Sequence, residues 1–150
     1  DFFEASEAFF SGKLDWTIDE IDRHFFQGKD ARHLLATLQN RNRLLIQLRV
    51  LVDGGELDPN QRLGKDQLEK MRSKYLKHFS NPSEKTTLNV FSQNPWFLGR
   101  LIPLLRKFST RRLIDLQAGL IKAFEDVLAQ PKEQHSTIFK NLAIQTHARS

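Results

Sequence analysis

The chain contains no cysteine, which removes a disulfide framework, a thiolate nucleophile and any cysteine-bound zinc or iron–sulfur cluster. That absence suits a reducing compartment, and a cytoplasmic location is expected. Long apolar runs are missing too. The strongly apolar stretches reach three or four residues, as in Leu44-Leu45-Ile46, against the roughly 20 that a membrane-spanning helix takes. No basic segment leads into an apolar one as in a secretory leader, and the first residue is Asp1 rather than methionine. Asp1 therefore reads as an internal boundary, and the chain as the C-terminal part of a longer protein. No useful length alternates apolar and polar residues with period two, and no repeat period or low-complexity segment emerges.

With 150 residues, 39% of them hydrophobic and 27% charged, the chain is expected to form one domain. A globule of this length buries roughly 68–70% of the surface its unfolded chain exposes, so it needs no covalent or metal staple. The net charge of +5 is unevenly spread. Residues 1–30 hold three basic and eight acidic side chains, whereas residues 86–112 hold five basic and no acidic ones. The overall excess is too small to demand a polyanionic partner, but its segregation suggests that different faces meet different things.

Turn residues separate segments whose apolar positions recur at three and four, the signature of an all-α protein of about six or seven helices. A first helix is expected over about residues 1–11, stopped by Gly12, and Thr17 is placed to cap a short second helix ending at Gly28. Asp30 caps the longest helix, which runs to about Val52 before Asp53-Gly54-Gly55 breaks it. Leu34, Leu38, Leu45, Leu48 and Val52 form its main stripe, and its second half, apolar on nearly every side, is expected to lie centrally. A basic amphipathic helix is expected over 64–79, carrying Leu68, Met71, Tyr75, Leu76 and Phe79, followed by a loop over 80–93. Asn94-Pro95 then caps and opens a helix that Pro103 kinks. Ser109 caps the next one, with Leu113, Leu116, Leu120, Phe124 and Val127 as its stripe and Ile114, Ile121 and Leu128 flanking it. Pro131 opens the last, with Ile138, Phe139, Leu142 and Ile144.

The motifs of common catalysts are missing. Gly64-Lys65-Asp66 lacks the upstream glycine and the following hydroxyl residue of a phosphate-binding loop, and Asp53-Gly54-Gly55-Glu56-Leu57 reads as a turn at a helix end. The five histidines lack the spacing of a zinc helix, and Glu20 with His24 reads as a solvated one-turn contact. Asp15, Asp19, Glu20 and Asp22 lack the glycine and alternating oxygens of a calcium loop. No enzyme, metal, cofactor or small-molecule substrate is expected. The most suggestive segment is Arg106-Lys107-Phe108-Ser109-Thr110-Arg111-Arg112, where four cations surround a helix start. Arg111 and Arg112 oppose the helix dipole there, so a phosphate or an acidic partner surface would compensate them. Arg100 extends this candidate contact for DNA or a partner, while Trp16, Trp96 and most of the phenylalanines read as core.

Order and spacing carry a resemblance. The run from Phe9-Phe10-Ser11-Gly12-Lys13-Leu14 through the short helix to Leu34-Leu35-Ala36-Thr37-Leu38 and Arg43-Leu44-Leu45-Ile46-Gln47-Leu48-Arg49 resembles the C-terminal domain of the delta subunit of the bacterial DNA polymerase III clamp loader. Asn94-Pro95-Trp96 is similar to that family's His-Pro-aromatic helix start, Arg106-Lys107-Phe108-Ser109 to its basic-x-Phe-Ser step, and Leu113-Ile114 to its paired apolar positions. Phe124-Glu125-Asp126-Val127-Leu128 departs from the family's Asp and Lys, and 53–93 is longer than its usual connection, so the chain reads as a divergent delta or delta-like subunit. The resemblance implies a helical collar, joined with other clamp-loader subunits in a ring, with DNA as a further contact and no membrane. A freestanding helical nucleic-acid-binding module is the alternative.

Overall fold

Helix ends are set by the residues that can stop them. Gly12, at φ +79°, takes a left-handed conformation that a side chain would strain, and it closes α1 (Phe2–Ser11). The computed structural model of the chain describes residues 2–75 and 89–148, with side chains from residue 4 onward. After Gly12 come α2 (Leu14–Phe26), α3 (Ala31–Asp53), α4 (Lys65–Tyr75), α5 (Pro95–Leu101), α6 (Thr110–Ala129) and α7 (His135–His147). Short 3-10 turns occupy Val90–Ser92, Ile102–Arg106 and Lys132–Gln134. Among the described residues the protein is therefore all-α, with seven helices and no strand. None of these helices is long and apolar enough to cross a membrane.

Several expected boundaries are met. The Asp30 carboxylate accepts from the Arg32 N–H at 2.9 Å at the head of α3, and the Asn94 side chain accepts from the Trp96 N–H at 2.8 Å at the head of α5. Pro103 marks the step from α helix to 3-10 turn rather than a bend within one helix. Thr17 departs from expectation. α2 begins at Leu14, with Lys13 at its cap, and Thr17 is buried one turn inside. Its hydroxyl shares its proton between Ala8 O at 2.9 Å and Lys13 O at 2.8 Å, tying α2 to α1. The expected helix over 64–79 is described as far as Tyr75, and its Leu76 and Phe79 lie outside the described residues. Of the expected loop, only 89–93 is described: Asn89 caps the 3-10 turn, and Val90 and Phe91 are buried.

The chain divides into two compact units, one of residues 1–42 with 111–150 and the other of residues 43–110. In the first, α1 packs on α2 and α2 on α7. Phe9 meets Phe10 edge-on at 5.3 Å, and Phe25 meets Phe139 at 5.7 Å. Polar side chains join these helices from within. Buried Arg41 of α3 pairs with Glu7 of α1 at 2.9 Å, and buried Asn42 donates to Leu113 O and to the Gln117 side chain of α6. An ion pair between Lys140 and Asp22 links α7 to α2. Gly119 permits close approach of α7 to α6, because a Cβ there would stand 2.8 Å from the Leu142 side chain.

In the second unit, Leu45, Leu48, Leu98, Leu101, Ile102, Leu105 and Phe108 are buried together with Leu68 and Met71 of α4. Arg49 donates to Leu105 O at 3.0 Å and to Asp53 at 3.1 Å, and Gln47 accepts from the Val90 N–H at 2.9 Å. The Glu56 carboxylate receives Lys74 and the Tyr75 hydroxyl, and these two bonds hold its pKa below the ordinary carboxylate value.

Candidate interaction surface

The five cations singled out in the sequence are each engaged by the fold. Arg100, Arg106 and Lys107 belong to the second unit, Arg111 and Arg112 to the first. Arg100 lies over the Trp96 ring, 5.2 Å from its centroid. Arg106 donates to Pro59 O at 3.2 Å, and Lys107 is exposed just beyond the 3-10 turn. Arg111 is exposed and pairs with Asp115 one turn along α6 at 3.3 Å. Arg112 is half-buried and reaches the end of α7, donating to Thr146 O at 3.0 Å and meeting His147 Nδ1 at 3.3 Å. Burial pushes its guanidinium pKa down. A cation at the carbonyl end of α7 is favourable, so the unfavourable position of Arg112 at the start of α6 is compensated inside the chain.

The histidine and acidic clusters take structural places. The ring of buried His24 donates through Nε2 to Asp30 O at 2.9 Å, and burial lowers its pKa. Glu20 lies 3.8 Å from Arg23, and His135 meets Val127 O and Gln130 O. Among the described residues no three His, Cys, Asp or Glu side chains gather as a metal site would require.

The tryptophans overturn their expected place in the core. Trp96 is 71% exposed, and Trp16 is exposed as well. Pro95 and the Asn94 cap already fix the start of α5, and Arg100 shields one face of the Trp96 ring, so the side chain needs no burial to be held. The phenylalanines divide: Phe9, Phe10, Phe91, Phe108 and Phe139 are buried, whereas Phe26 and Phe124 are exposed.

An extended apolar surface lies on α6, where Phe124, expected in the main stripe, is exposed together with the flanking Ile114, Ile121 and Leu128. Leu113, Leu116, Leu120, Ala123 and Val127 face inward, so Ala123 and not Phe124 continues the buried stripe. Ile114, Ile121, Phe124 and Leu128 stay exposed at 54%, 50%, 42% and 66%. Their spacing of seven, three and four residues places them on one side of the helix. Periodicity found the buried side through Leu113, Leu116, Leu120 and Val127, but between the neighbours Ala123 and Phe124 it took the larger side chain for the buried one. Ile144 of α7, expected with the buried residues, is exposed too. A second misjudged region is the later half of α3, where Val50 is exposed. Ile46, Val50 and Leu51 line a cavity of about 450 Å³ with Val90, Phe91 and Tyr75, so this half is not covered on all sides.

These features define an all-α protein whose prepared surfaces are an apolar helix face in one unit and a cationic excess with an exposed tryptophan in the other. No protein-family model, curated protein or solved structure matches the chain.

Proposed function

We propose that this chain is the helical collar domain of a delta or delta-like subunit of the DNA polymerase III clamp loader, with assembly in DNA replication as its task and other clamp-loader subunits as its partners. The observation that carries the reading is the fit between the order of the resembling motifs and the helix ends. Gly12 closes α1, a short α2 follows, and the long α3 bears Arg43-Leu44-Leu45-Ile46-Gln47-Leu48-Arg49. Asn94-Pro95 opens α5, and Ser109 stands immediately before α6 with its Leu113-Ile114 pair. An all-helical chain with exposed apolar side chains is suited to packing against neighbours. Mixing the protein with the other clamp-loader subunits and measuring complex formation by sedimentation tests this. A stoichiometric complex is expected; assembly that proceeds unchanged without residues 1–150 would contradict it.

A freestanding nucleic-acid-binding module is the second reading, favoured by exposed Trp96 beneath Arg100 in a unit with twelve basic and six acidic side chains. It requires DNA or RNA affinity that falls steeply with salt as counterions are released. Titration of fluorescent single-stranded DNA at two ionic strengths separates the readings, since the collar requires little affinity of the chain alone.

A further inference from the structure

The exposed row on α6 has the pattern of a helix that packs against its own copy. Ile114, Ile121 and Leu128 are spaced by sevens, with Phe124 between the last two, and all four are large, apolar and exposed. Residues 121, 124, 125 and 128 stand at i, i+3, i+4 and i+7, the four corners of a hole on a helix surface that accepts one knob from a facing helix. Ile114, one heptad before the first corner, is such a knob.

Charge selects the direction of pairing. Arg111 and Glu125 are both exposed and lie on the same flank of the row, four turns apart. In a two-fold antiparallel pair the same flanks meet. Placing Ile114 of one copy among Ile121, Phe124, Glu125 and Leu128 of the other then brings Arg111 of the first beside Glu125 of the second. Symmetry makes the contact twice. The small Ala118 lies on that flank midway between Arg111 and Glu125, and the antiparallel helix dipoles oppose favourably. A parallel pair brings this flank against the opposite one, and the two charges do not meet.

We propose that α6 is a self-association surface through which two copies of this chain pair antiparallel, Ile114 of each entering the pocket formed by Ile121, Phe124 and Leu128 of the other. This goes beyond the collar reading and does not depend on it. The Arg111 contact with Asp115 in the single chain is an exposed ion pair worth little, so exchanging it for Glu125 of a second copy costs little.

Sedimentation equilibrium of the chain over a range of concentrations, with sequence-matched variants, tests the pairing. A monomer–dimer equilibrium is expected, with Ile121→Glu raising its dissociation constant by about tenfold or more. Leu128→Gln, at the most exposed position of the row, gives the same direction with less demand on folding, and helical circular dichroism checks both variants. Arg111→Glu alone is expected to weaken the dimer, and Arg111→Glu combined with Glu125→Arg to restore it. A chain that stays monomeric at every concentration would overturn the proposal. So would a dimer that Ile121→Glu leaves intact, or one that the double charge exchange fails to rescue. None of these results bears on binding to clamp-loader subunits, so the two readings fail separately.

Discussion

The two units spend their polar residues in opposite ways. In residues 1–42 with 111–150, charged and amide groups are drawn inward as ties: Arg41 to Glu7, Asn42 to α6 and Arg112 to the end of α7. Large apolar side chains of α6 are left outside. In residues 43–110 the cations mostly stay at the surface, and the unit carries a net charge of +6 against −1 for the other. Its ties include Arg49 to Leu105 O and Asp53, Gln67 to Glu56 O, and Lys74 with Tyr75 to the Glu56 carboxylate. The difference teaches that net charge and contact surface are separate properties of this chain: the apolar face lies in the nearly neutral unit.

The largest expected effect sharpens the distinction between buried and exposed aromatic residues of the first unit. Phe139→Ala empties a fully buried site and should cost about 3–5 kcal/mol, whereas Phe124→Ala should cost less than about 1 kcal/mol. Urea unfolding followed at Trp16 in a Trp96→Phe background reads both. Equal losses would mean that Phe124 is part of the core.

Next in size is the contrast between inward and outward cations. Arg41→Ala removes a buried guanidinium and strands Glu7, which is partly exposed, so a loss of about 1–3 kcal/mol is expected. Arg106→Ala in the second unit should stay within about 0.5 kcal/mol, because its bond to Pro59 O is exposed. Thermal melts of the two variants decide this, and a larger loss at Arg106 would reverse the comparison.

A smaller effect concerns pH. Burial lowers the His24 pKa below the ordinary 6.5, so the unfolded chain binds the proton more readily than the folded one. The contribution of neutral His24 is fully present above about pH 6.5 and is lost as the pH falls through that value toward the lowered folded pKa. His24→Gln keeps a donor for Asp30 O and should flatten the fall in melting temperature between neutral and mildly acidic pH. An unchanged slope would remove His24 from the account of acid sensitivity.

Much of this chain was legible from local chemistry. Gly12, Asp30, Gly55 and Asn94-Pro95 act through their own backbone or the next turn, so a stretch of sequence contains all that sets them. What escaped depends on neighbours distant in sequence. Thr17 was read as a cap because its hydroxyl suits one, but Ala8 O offers it a buried partner. Arg41 and Asn42, in a band read simply as polar, turn inward because Glu7, Leu113 O and Gln117 are there to receive them. On α6, Ala123 faces the interior and Phe124 does not, which the sizes of the two side chains alone would have reversed. The candidate cations were visible as a run, but the reach of Arg112 to α7 was not, since 34 residues separate it from Thr146.

If the apolar face of α6, rather than the surface cations, holds two copies of this chain together, the pairing should survive salt. Sedimentation of the chain with itself at low and high ionic strength tests this directly. The expected association constants change by less than about tenfold, as exposed ion pairs contribute little. A steep log-linear fall with salt, as phosphate-like or cation-led contacts give, would contradict it.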